Sequence, residues 1–212
     1  MSQEFKTVTI LKAQLSRFSG IISRGFSKPK QRLIKEILYG IQASKDIKLS
    51  NIARTLKEDQ ALIKTEDRLS RNLDDVDFTE GINAEVVRLA SSRVSDDMVI
   101  AIDPGDIRKK YGKKMEYIAK IRDGSEKEIG EGYWLCKAVA SDIEQKKVIP
   151  LYFEAYSQEA QGFKSENDQL SRCIDLIFGQ IGNRGIHAID RGGDRGFLSI
   201  RSIWAKRRLP GS

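Results

Sequence analysis

The hydrophobic period changes once along this chain, near residue 95, and that change restricts the folds open to it. Up to about Val94 the apolar residues recur at spacings of three and four, as amphipathic helices require. From Met98 they form an unbroken run, "MVIAID", followed by further apolar stretches of strand length. The reading is a helical region over residues 1–94 and an α/β region over 95–212. A chain of 212 residues with 40% apolar content can bury a domain of ordinary size beside a smaller one.

In the first region Ile10, Leu11, Leu15, Phe18, Ile21 and Ile22 mark one helix, broken after Phe26 at Ser27, Lys28 and Pro29. Pro29 suits the first turn of a second helix, whose apolar stripe is Leu33, Ile34, Ile37, Leu38 and Ile41. "KLSNIARTLKEDQALIKTEDRLSRNLDD" then reads as two short helices, the first capped by Ser50, the second carrying Leu62, Ile63, Leu69 and Leu73. That spacing fits a helix-turn-helix, in which Lys64, Arg68 and Arg71 share one face and would meet DNA. It fits two packed helices of a bundle equally, since the "KEDQ" turn lacks the usual glycine. A further helix, "FTEGINAEVVRLASSRV", leads into the second region.

Charge favours the nucleic-acid reading. The formal net charge is +7, and it is unevenly spread: residues 1–72 hold 15 Lys/Arg against 7 Asp/Glu, the rest 22 against 23. Scattered charge is ordinarily just a solvated face, but a segment of one sign beside a neutral one suggests a DNA-binding front end. No apolar stretch reaches the roughly 18 residues of a membrane span, and the N-terminus lacks a signal-peptide pattern. The expectation is a cytoplasmic, nucleoid-associated protein with no membrane partner. Cys136 and Cys173, distant in sequence and in no CxxC, read as core residues.

In the second region "MVIAID" should be a buried strand stopped by Pro104. Tyr133–Asp142 and Val148–Ser157 read as two more strands joined by "IEQKK", Ser165–Ile181 as a capped amphipathic helix, and Gly185–Asp190 as a fourth strand before another helix. Three strands, a helix and a strand fit a ribonuclease H-like mixed sheet, in which the first and fourth strands lie side by side. Asp103 and Asp190 would then be neighbours at two strand tips. Adjacent carboxylates repel unless a cation lies between them, and hard oxygen ligands select Mg²⁺ or Mn²⁺. Paired ions of this kind clamp both oxygens of a phosphoryl displacement. Gly192 and Gly193 would let a nucleic-acid backbone approach, with Arg191 and Arg195 meeting its phosphates. Lys109, Lys110, Lys113 and Lys114 would be further phosphate contacts, or simply a solvated loop. Strand-end aspartates also form turns, and Asp194 could merely cap a helix. His187 lies three residues before Asp190 in an apolar strand, so it should face the other way and pack in the core.

The stretches "IDPGDIRKKYGKKMEYIAKIRDGSEKEIGEGYWLCKAVA", "PLYFEAYS", "SENDQL" and "IDRGGDR" follow the order and spacing of bacterial insertion-sequence transposases of the DDE type. The resemblance runs from about Ile102 to Arg195, less sharply through the helical region. It implies a metal-dependent enzyme that binds terminal inverted repeats of double-stranded DNA, nicks them and joins the freed 3′-hydroxyl to target DNA. Asp103 resembles the first catalytic aspartate and Asp190 the second, both metal ligands. The family's third acid is a glutamate far beyond the second aspartate, whereas residues 191–212 contain no glutamate. The expectation is therefore a truncated element: a transposase by descent with impaired strand transfer, or a non-catalytic regulator that occupies the repeats and competes with intact transposase. A homodimer or an association with intact transposase would be its protein partners. A structure-selective nuclease of the same fold is a third reading, which nothing in the sequence favours.

Overall fold

The computed structural model describes residues 3–112, 114–122, 128–142 and 144–189. The chain divides into two compact units, Met1–Glu85 and Val86–Ser212. The first is helical: α1 (Gln3–Ile22), α2 (Lys28–Ser44), α3 (Leu49–Leu56), α4 (Leu62–Asp74) and the start of α5 (Thr79–Ser91). Pro29 occupies the first turn of α2, where its missing N–H would have had no helical partner. Leu33, Ile52, Ala53 and Leu69 form the core of α2, α3 and α4, with Ile37, Ile41, Leu49, Leu56 and Phe78 packed around it. Gly40 lets α2 and α3 approach: a Cβ there would lie 2.3 Å from Ile52 Cγ2. Ser50 is not the cap of α3. Lys48 holds that position without a side-chain bond, and the loop is tied instead by Asp46, which accepts from the Lys48 N–H at 3.0 Å and from Asn51 Nδ2.

The second unit is a mixed sheet of β1 (Val99–Arg108), β2 (Ala119–Arg122), β3 (Ile129–Asp142), β4 (Lys147–Tyr156) and β5 (Ile186–Ile189), with α6 (Glu166–Ile181) between β4 and β5. β3 is central: β1 runs antiparallel along one edge, while β2 and β4 follow one another along the other. β5 lies parallel to β1, so the first and last strands are neighbours as the element order implied. β2 is a strand that the apolar pattern does not mark, and β1 runs further than "MVIAID" implies. Pro104 does not stop it; β1 continues to Arg108, with Pro104 opposite Cys136. Proline can remain in a strand where its missing N–H needs no ladder partner. Among the described residues, β1 beyond Ile102 pairs with β3 alone.

One face of the sheet is sealed. Ile100, Ile102, Cys136, Ala138, Ala140, Ile149 and Leu151 pack with Leu170, Cys173, Ile174 and Ile177 of α6 and with Val87 and Ala90 from the last turns of α5. Ser165 caps α6, its hydroxyl accepting from the Asp168 N–H at 3.1 Å. Arg184 donates to the carbonyls of Ile181, Ser91 and Val94, tying the ends of α5 and α6 together just before β5. Gly185 follows with φ +82°, where a Cβ would lie 2.8 Å from Ile100 Cδ1; only glycine lets β5 enter this close to β1. No helix among the described residues is long and apolar enough to cross a membrane.

Candidate functional site

Side chains alternate along β1, so Ile100 and Ile102 enter the core while Val99, Ala101 and Asp103 take the opposite face. Asp103 is a mid-strand residue rather than a strand tip, and its carboxylate stays 58% exposed. Its register partner on β3 is Lys137, whose Nζ lies 2.9 Å from Asp103 Oδ2. Gly105, two residues on, keeps the space open: a Cβ there would meet Lys137 Nζ at 3.2 Å and Cε at 3.4 Å. The sequence reading did not single out Lys137. The available signal was a lone lysine inside the alternation of "WLCKAVA", on the face opposite Trp134, Cys136 and Ala138.

On β5, Ile102 pairs with Ile189 and Ile100 with His187. His187 faces α6, its ring stacked on Phe178 at 4.5 Å between centroids and 8° between planes. Burial lowers its pKa against a hydrogen bond to the Arg184 backbone, and its Nε2 has no partner among the described residues. A neutral imidazole in an apolar stack on the sealed face has no access to chemistry at Asp103. Cys136 and Cys173 lie in the same core as free thiols, and a mutual hydrogen bond and burial together push the Cys173 thiol up.

Asp190, Arg191 and Arg195 lie outside the described residues, as does Lys113. The rest of the expected phosphate-contact loop follows β1. Lys109 is half-buried, its N–H donating to the Glu131 carbonyl at 2.8 Å, while Lys110 and Lys114 are exposed. Among the described residues, no three His, Cys, Asp or Glu side chains gather as a metal cluster.

In the helical unit the face expected to carry Lys64, Arg68 and Arg71 divides. Lys64 and Arg71 are exposed. Arg68 turns inward, donating from Nη1 to Glu36 Oε2 at 2.7 Å and from Nη2 to Glu58 Oε1 at 2.9 Å. Arg32 binds the same two carboxylates from the other side, closing a ring of alternating charge over α2, α4 and the turn before α4. Burial pushes the Glu58 carboxyl up, but hydrogen bonds from Thr65, Gln60 and Arg68 outweigh it and hold the carboxyl below its ordinary range. Burial likewise lowers the Arg68 pKa, and the two glutamates more than reverse it. Lys30, though buried, reaches the Asn72 carbonyl and Asp75 at 2.8 Å each, so part of the basic excess of this region is spent inside the fold. No protein-family model matches this chain, and no curated protein matches it in sequence.

Proposed function

We propose that this chain is a DNA-binding protein of the insertion-sequence transposase type, with a ribonuclease H-like second unit in which Asp103 and Asp190 hold Mg²⁺ or Mn²⁺ against a phosphodiester. One observation carries the reading. The parallel register of β1 and β5 ends with Ile102 opposite Ile189, and in the sequence the residue after each is an aspartate. In the sequence Asp190 thus stands to Ile189 as Asp103 stands to Ile102, one residue beyond the last paired position. Antiparallel strands, a crossover helix and a parallel return beside the first strand are also the order this fold requires.

The donors suit a hard divalent cation. Asp103 offers exposed carboxylate oxygens, and among the described residues no cysteine or histidine shares its face to select a softer metal. When bound, such an ion lowers the pKa of water and neutralises charge developing on a phosphoryl group. The chain itself supplies a rigid strand under Asp103, a core that keeps Ile100 and Ile102 fixed beneath it, and lysines at 109, 110 and 114 for phosphate. Lys64 and Arg71 are the α4 groups open to DNA.

The test is supercoiled DNA carrying the gene with its flanking sequence and any inverted repeats found there, incubated with the protein and Mg²⁺. Selective, salt-sensitive binding with nicking that Asp103→Ala and Asp190→Ala both remove supports the enzyme. Binding without nicking would favour the regulator that competes for the repeats. Absence of repeat-selective binding refutes both.

A further inference from the structure

We infer that Lys137 is a positioning residue that acts as the built-in counter-cation of Asp103, occupying the carboxylate until a divalent ion displaces it. The inference rests on the metal reading of Asp103 and adds a residue that this reading does not require. Three observations converge. Lys137 faces Asp103 across the β1–β3 register, so the strand pairing itself fixes their proximity. The ammonium is within hydrogen-bond distance of Oδ2, at 2.9 Å. Gly105 leaves free the volume through which the lysine reaches it, since a Cβ would stand 3.2 Å from Nζ.

An ammonium this close occupies one carboxylate oxygen and repels any second cation that approaches it. A divalent ion at Asp103 must therefore either displace Lys137 or share the carboxylate with it. The side chain has somewhere to go. It is 39% exposed, and a lysine stem is flexible, so the head can swing toward solvent or toward a phosphate oxygen brought by DNA. Lys137 would thus keep Asp103 oriented in the absence of metal and set how much Mg²⁺ is needed to load the site.

The experiment measures Mn²⁺ binding to the full chain directly, by the loss of the free-ion EPR signal and by water-proton relaxation, so no turnover is required. Lys137→Met should tighten binding roughly five- to ten-fold at low ionic strength, a gain that shrinks with added salt. Lys137→Gln should do the same, which guards against one variant folding poorly. Lys137→Arg, which keeps the charge, should retain the parent affinity, whereas a purely structural role would not distinguish it from Lys137→Gln. Asp103→Asn should abolish the site. If Asp103→Asn abolishes binding but Lys137→Met and Lys137→Gln leave affinity unchanged or weaker, the counter-cation role is wrong and the metal reading stands. If Asp103→Asn binds Mn²⁺ like the parent, the metal reading fails and this inference with it.

Discussion

Replacing Arg68 by alanine separates folding from DNA contact on the one helix where the sequence merged them. The guanidinium makes charge-assisted bonds of 2.7 Å to Glu36 and 2.9 Å to Glu58, and the three side chains are only 22%, 14% and 19% exposed. A hydrogen bond to a charged group contributes about 1.5–3 kcal/mol, and breaking a fully buried ion pair costs about 3–5 kcal/mol. Partial exposure lets water recover some of this, and Arg32 remains beside both glutamates but is itself 58% exposed. The expected loss is about 2–3 kcal/mol, against no more than about 0.5 kcal/mol for Lys64→Ala or Arg71→Ala at exposed positions. Urea unfolding of the full chain followed by helix circular dichroism measures the first. Fluorescence anisotropy with duplex DNA, run where every variant is folded, measures the second. Lys64→Ala and Arg71→Ala should each weaken binding and reduce the salt slope by about one, whereas Arg68→Ala should do neither. An Arg68→Ala protein with parental unfolding but a lost salt slope would refute the argument.

The same unit supplies two further tests. Gly40→Ala gains about 1 kcal/mol of helix propensity, but its Cβ would sit 2.3 Å from Ile52 Cγ2 and 3.2 Å from the Ile52 backbone, which no rotamer change relieves, so net destabilisation of about 1–2 kcal/mol is expected in denaturant unfolding. Glu58 has a folded pKa below its unfolded one, so its contribution is present above the unfolded value and is lost as pH falls through the folded value. Thermal melts stepped from about pH 6 to pH 3 should show a shallower decline for Glu58→Gln than for the parent.

What the sequence disclosed and what it hid follow from how each feature is encoded. The sheet strands and α6 announce themselves because burial imposes a period on neighbouring residues, and Ser165 stands where a cap must stand. β2, Ala119–Arg122, alternates two apolar residues with two charged ones and so lacks the apolar run that marks the equally short β5. Pro104 signals a stop because proline removes a donor, but whether that donor is needed depends on which edge of β1 has a partner, a tertiary fact. Arg68 shows the same limit. Spacing along α4 groups it with Lys64 and Arg71, yet Glu36 lies 32 residues earlier on another helix, and nothing local reveals that it approaches and turns Arg68 away from them. Asp103 was legible as the carboxylate closing an apolar run. Lys137 was not, because its meaning comes from the register of β3 against β1.

The two faces of the sheet divide the work in a way that bears on every test at Asp103. Ile100, Ile102 and His187 stand on the face closed by α6 and the end of α5, where a polar substitution would leave a buried group without a partner. Asp103 is one residue beyond Ile102 yet on the other face, more than half exposed, and its ion pair with the solvent-facing Lys137 contributes little to folding. The backbone that positions it is held by β3 alone at that point among the described residues, through main-chain bonds that do not depend on the side chain. Substituting the carboxylate therefore alters the exposed face and leaves the scaffold intact. A change in Mn²⁺ binding on Asp103→Asn would therefore report on the carboxylate itself rather than on folding.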